Sequence, residues 1–122
     1  MTREEIIAKW AELGARERDA WVGEVITHIT PEYDERFSLN GWRLTDGTWT
    51  SSLPQYTTDI SAAWTVLAQF KKHGVRKVID GYKAEAENEN DGGIDGEFGV
   101  TAAEAIGLVA LVAKLTEVSA DV

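Results

Sequence analysis

Tyr82-Lys83-Ala84-Glu85-Ala86-Glu87, Asn88-Glu89-Asn90-Asp91-Gly92-Gly93, Ile94-Asp95-Gly96-Glu97-Phe98-Gly99-Val100 and Thr101-Ala102-Ala103-Glu104 run consecutively, and this stretch decides the fold. Its first part closes a strand read over 75–87, with Tyr82, Ala84 and Ala86 on one face and Lys83, Glu85 and Glu87 on the other. The Asn/Asp/Gly run is a turn. Alternation then resumes, with Ile94, Gly96, Phe98 and Val100 set against Asp95 and Glu97. Together these segments predict a hairpin with one buried and one wet face. Thr101 followed by Glu104 is a capping box that opens a helix. Over 105–115 every residue except Gly107 and Lys114 is apolar. Such a helix must be covered on more than one side, either by other elements or by a second copy of the chain meeting it along 102–117.

Upstream, Thr2-Arg3-Glu4-Glu5 is another capping box, and the helix it opens is expected to reach residue 13, with Gly14 as a left-handed C-cap. A second amphipathic helix is predicted over 15–29. Trp21, Val25 and Ile29 form its stripe beside Val22 and Ile26, with Glu17, Asp19 and Glu24 elsewhere on the wheel. Gly41-Trp42-Arg43-Leu44-Thr45, Asp46-Gly47 and Thr48-Trp49-Thr50 form a short hairpin around an Asp-Gly turn. Thr58 is the expected N-cap of a third helix carrying Ile60, Ala63, Trp64, Leu67 and Phe70 on its apolar stripe. Lys71, Lys72 and His73 then fall in its last turn, before Gly74. Helices packed with antiparallel hairpins make an α+β protein, not a doubly wound parallel sheet.

Composition narrows the function. The chain has 122 residues and no cysteine, so disulfides, thiolate metal sites and thiol nucleophiles are ruled out. That length suits one domain. The formal net charge is −9, and phosphate neutralisation needs clustered Lys and Arg, so direct nucleic-acid binding is not expected. The longest apolar run, 106–113, is far below the about 20 residues of a membrane span.

Three groups of residues are candidates for function. Between Asp80 and Glu97 stand seven acids and one base. Of these, Glu85, Glu87, Glu89, Asp91, Asp95 and Glu97 would make an acidic docking face for a basic partner. Glu87, Glu89, Asp91 and Gly92 imitate the start of a calcium loop, but Phe98 stands where its closing carboxylate is due, so no metal is expected. Trp42, Arg43, Trp49 and Tyr56 gather aromatics and a guanidinium around the short hairpin, as a site stacking on a flat, nucleotide-like ligand would. His28 and His73 lack ligand spacing and read as dipole partners or packed side chains. No nucleophile–base pair or phosphate-binding glycine loop is present, so no catalytic residue and no cofactor are assigned.

Three blocks carry a resemblance. Leu13-Gly14-Ala15-Arg16-Glu17-Arg18-Asp19-Ala20-Trp21-Val22, Leu53-Pro54-Gln55-Tyr56-Thr57-Thr58-Asp59-Ile60-Ser61-Ala62-Ala63-Trp64 and Gly99-Val100-Thr101-Ala102-Ala103-Glu104-Ala105-Ile106 are similar, in that order, to blocks of the phage ABA sandwich domain family. The resemblance implies a bacteriophage or prophage origin and helix–sheet–helix layering, and it implies no activity. It sets off residues 1–13 as an extra helix, 14–118 as the sandwich-like core and 119–122 as a tail. A second likeness, of Ile94-Asp95-Gly96-Glu97-Phe98-Gly99 to peptidoglycan-binding domains, lacks one residue before Thr101 and the leucine helix upstream. The expectation is therefore a small acidic phage-encoded accessory protein in the bacterial host cytoplasm. It would bind a host or phage protein without catalysis, or alternatively sequester a small nucleotide-like molecule of host defence.

Overall fold

A computed structural model describes residues 1–88 and 90–116. The elements in chain order are α1 (Arg3–Glu12), α2 (Ala15–Ile26), β1 (Thr30–Asp34), β2 (Leu39–Arg43), β3 (Trp49–Thr50), α3 (Ile60–Leu67), β4 (His73–Val78), β5 (Gly81–Glu87), β6 (Ile94–Gly99) and α4 (Ala102–Leu115). The strands form two antiparallel sheets, β1-β2-β3 and β4-β5-β6. The fold is mixed α+β, as the sequence predicts.

Helix α4 is the middle of the molecule. Ala103 and every residue from Ala105 to Ala113 are buried. It packs on β5 and β6 and also on α1, α2 and α3. The cover that its composition demands comes from within one chain. Position 107 explains how close the helices come: a Cβ on Gly107 would sit 2.9 Å from Cη2 of Trp10 and 3.2 Å from Cγ2 of Thr57. Thr101 caps α4 by accepting the Glu104 N–H at 3.2 Å.

Several helix boundaries differ from expectation. Thr2 and Glu5 form the capping box of α1. Gly14, however, has φ −78 and caps the start of α2, donating its N–H to Glu17 Oε1 at 3.1 Å, so it is not a left-handed C-cap. Helix α2 stops at Ile26. There Thr27 N–H, Thr27 Oγ1 and Ile29 N–H all converge on the Gly23 carbonyl, with His28 at φ +57 turning the chain away. Asp59, not Thr58, caps α3, its carboxylate accepting the Ser61 N–H at 3.0 Å. This helix ends at Leu67, and its buried face is Ala63, Val66 and Leu67, continued by Phe70. Trp64 and Ile60 stand on its shoulder, half exposed, where the sequence placed them in the core. Lys71 and Lys72 lie past the helix, and His73 and Gly74 belong to β4.

The strand expected over 75–87 is two strands. Val78 pairs with Gly81 across the two-residue turn Ile79-Asp80. Gly81 has φ +155, and a Cβ there would collide with the Gly99 carbonyl oxygen on β6. Ala84 and Ala86 are buried on the face toward α4, as predicted. The register then decides β6: Ala84 opposes Glu97 and Lys83 opposes Phe98. Cross-strand partners share a face, so Glu97 points inward and Phe98 outward, the reverse of the hydropathy reading. The Asp46-Gly47 hairpin is present, with Gly47 at φ +90 and Arg43 opposite Trp49. Strand β1, with no clear alternation to announce it, completes that sheet. None of the main buried cluster comes from β1, β2 or β3.

Candidate functional site

Two of the recognisable sequence blocks meet around Asp19, which is fully buried and not on the wet side of α2. Its Oδ1 accepts the Thr57 N–H at 2.8 Å and the Thr57 hydroxyl at 2.7 Å, and its Oδ2 accepts Arg16 Nη1 at 3.0 Å. Arg16 Nη2 in turn donates to the Leu53 carbonyl at 3.1 Å. Both Asp19 oxygens are taken by donors of the chain itself, so the clasp pins the loop ahead of α3 onto α2.

The buried Glu97 is held in the same manner. Arg3 at the start of α1 reaches it with two hydrogen bonds, Nε to Oε2 at 2.6 Å and Nη2 to Oε1 at 2.9 Å. That fork geometry matches a carboxylate and compensates its burial. The hydrogen bond and charge of Glu97 push the Arg3 guanidinium above its ordinary value.

With Glu97 inside, the other face of the β4-β5-β6 sheet carries Phe98 at 64 % exposure and Ile94 at 53 %. Val100 follows at 76 %, and Ile79, in the β4–β5 turn, is 98 % exposed. A groove of about 600 Å³ runs among Ile79, Phe98 and Val100, lined also by Val78, Asp80, Gly81 and Gly99, with Ile94 at the other end of β6. Lys83 lies 5.7 Å from the Phe98 ring centre, and Glu85 and Glu87 share this outer face. No described element covers it. Sequence hydropathy missed this surface by assigning Ile94, Phe98 and Val100 to the core.

The proposed acidic face is thus divided. Glu85 and Glu87 point outward. Asp95, opposite Ala86, and Glu97, opposite Ala84, occupy the other side. Asp95 accepts the Asn88 amide at 3.0 Å, and Asp91 accepts the Gly93 N–H at 2.7 Å. Glu89 lies outside the described residues. The turn over 88–93 closes on its own hydrogen bonds, Asn88 N–H to the Gly93 carbonyl and Gly92 N–H to the Asn88 carbonyl. Among the described residues no cluster of three or more His, Asp or Glu is placed to hold a metal ion.

Trp42, Arg43, Trp49 and Tyr56 do not come together as a stacking site. Trp42 opposes Thr50 while Arg43 opposes Trp49, so the two indoles leave opposite faces of the sheet. Trp49 stacks on Phe37 at 5.7 Å between ring centres and donates Nε1–H to the Glu32 carbonyl at 2.9 Å. Arg43 is paired with the Glu32 carboxylate and also donates to the Gly47 carbonyl. Tyr56 is buried, its hydroxyl 3.1 Å from Thr27 Oγ1.

The fold has a solved counterpart. It is similar to a phage protein from Bacillus cereus ATCC 14579, known from a 2.0 Å crystal structure. The TM-score is 0.62 at 22 % sequence identity, over 83 % of this chain and 92 % of that one. Comparison with curated proteins gives no match. The sequence pattern of the phage ABA sandwich domain matches residues 17–111, a span holding Asp19, Thr57 and most of α4. On that match, the chain belongs to the phage ABA sandwich domain family.

Proposed function

We propose that this protein is a phage-encoded accessory factor that works by binding another protein, of host or phage origin, without catalysis. The outer face of the β4-β5-β6 sheet is where the partner docks. The observation that carries this reading is the outward turn of Phe98, which leaves Ile79, Ile94, Phe98 and Val100 uncovered on one side of the molecule. Contiguous exposed apolar side chains rimmed by charge are the usual mark of a protein contact. Glu85 and Glu87 share that face with Lys83 and Arg76, so the partner should bring apolar side chains flanked by charges of both signs. Both oxygens of Asp19 and both of Glu97 already accept hydrogen bonds from their own chain, which supports binding over chemistry at those carboxylates. No helix among the described residues is long and apolar enough to cross a membrane, in keeping with action in the host cytoplasm.

A photo-crosslinking amino acid at position 98 tests the proposal against the same group at exposed Glu35. In lysate of infected cells, position 98 should give a discrete protein adduct that Ile79→Glu abolishes. Equal labelling from both positions, or an adduct indifferent to Ile79→Glu, would contradict it. An adduct with a second copy of the chain would make this face a homo-oligomer contact and also contradict it.

A further inference from the structure

The chain has twelve Lys and Arg, and most are committed to its own groups. Arg3, Arg16, Arg36 and Arg43 pair with Glu97, Asp19, Asp34 and Glu32. Lys9, Arg18 and Lys83 sit over the rings of Trp21, Trp10 and Phe98, and Lys114 is also engaged. Four remain. Among the described residues Lys71, Lys72, Arg76 and Lys77 have no ion pair, hydrogen bond or ring partner. All four are exposed and fall within one seven-residue segment, on and just before β4. In a chain of net charge −9, this concentration of unpaired cations is the exception.

Beside them lies an open groove of about 510 Å³ between α3 and β4, lined by Ile60, Trp64, Val75, Arg76, Lys77 and Tyr82 among others. Its only charged lining residues are the two cations. The nearby Asp59 carboxylate is turned to the Ser61 N–H. Trp64 is 49 % exposed, and the His73 ring meets it edge-on at 6.2 Å. The His73 ring is itself held by a 2.7 Å hydrogen bond from Nδ1 to the Phe70 carbonyl. Strand β4 is a sheet edge, and charge on an edge strand discourages edge pairing. That role gives no reason for an exposed indole in the adjoining groove.

We propose that this groove binds a nucleoside phosphate, with the base stacked on Trp64 and the phosphate held by Lys77, which lies opposite Tyr82 on the groove side of β4. Stacking on an indole and charge-assisted hydrogen bonds to phosphate are the two interactions these side chains offer. Arg76, on the other face of the strand, and Lys71 and Lys72 add attraction at longer range. Size and charge favour a mononucleotide over a strand. The groove falls within the volume range of small-ligand sites, and a polyanion leaving it would run onto the acidic remainder of the chain. This site is independent of the docking face.

Calorimetric titration of the full chain with AMP, GMP, adenosine, inorganic phosphate and a twelve-nucleotide oligothymidylate tests it. AMP or GMP should bind with one site per chain, with adenosine and phosphate each weaker by about tenfold or more. Arg76→Ala/Lys77→Ala, at exposed positions, should melt with the wild type yet lose about tenfold or more in affinity. Trp64→Phe should keep more affinity than Trp64→Ala. No heat with either mononucleotide at millimolar concentration overturns the proposal. So does phosphate binding as tightly as AMP, unchanged affinity in the double variant, or tighter binding of the oligonucleotide.

Discussion

Asp19 shows how much one side chain can hold. Truncating it to Ala would leave the buried Thr57 N–H and hydroxyl without acceptors and release Arg16. Urea unfolding should report a loss on the order of 3 kcal/mol. Arg3 and Glu97 form a second such pair, again with the cation half exposed and the carboxylate buried. Arg3→Met strands a buried carboxylate and should cost about 2 kcal/mol, whereas Arg3→Met/Glu97→Met should recover most of that loss. A double-mutant cycle in which the pair is no better than the worse single variant would refute this. Neither role was legible in the sequence. Asp19 reads as one more polar position on a helix wheel, and Glu97 as the wet half of an alternating strand. What reverses Glu97 is its register opposite Ala84 and a cation 94 residues away, and no local pattern encodes either.

At the scale of elements, the signals with local physics were readable. The Thr2 and Thr101 caps start their helices, and Asp46-Gly47 makes its turn. Asp80-Gly81 carries the same signal, but the sequence reading runs one strand through it from 75 to 87, on an alternation that begins only at Tyr82. Gly81→Ala should therefore be costly, roughly 1–3 kcal/mol, from its positive φ and the clash with the Gly99 carbonyl. Chemical denaturation would check it. The first sheet should be acid-sensitive. The Arg36 side chain holds the Asp34 carboxyl below its ordinary value of 3.8, and the Thr48 hydroxyl does the same for Asp46. Depressed carboxyls mean that the folded chain binds fewer protons than the unfolded chain in acid. Their contribution is therefore complete above the ordinary value and drains away as pH falls through the folded values. Carboxyl NMR titration should find both midpoints below 3.8, with resonances of β1–β3 shifting before those of α4. Midpoints at or above the ordinary value would contradict it.

At the scale of the whole molecule, α4 is legible as a helix needing cover on more than one side, and that cover is intramolecular. Helix α1 lies outside the family match over 17–111, yet it supplies part of that cover through the buried Ile6 and Trp10. Trp10→Ala should open space against Gly107 and cost about 3 kcal/mol in thermal or urea unfolding. The functional surfaces were less legible because both depend on sidedness, which neighbouring elements set. Register puts Phe98 outside, and the position of α4 leaves Trp64 on the shoulder of its helix. The central claim is that β6 presents Phe98 to solvent and Glu97 to the interior. Because the chain contains no cysteine, Phe98→Cys and Glu97→Cys can be labelled separately with a maleimide in the folded protein. The account predicts that position 98 reacts nearly as fast as a free thiol and position 97 only after denaturant is added; fast labelling at 97 with protection at 98 would contradict it.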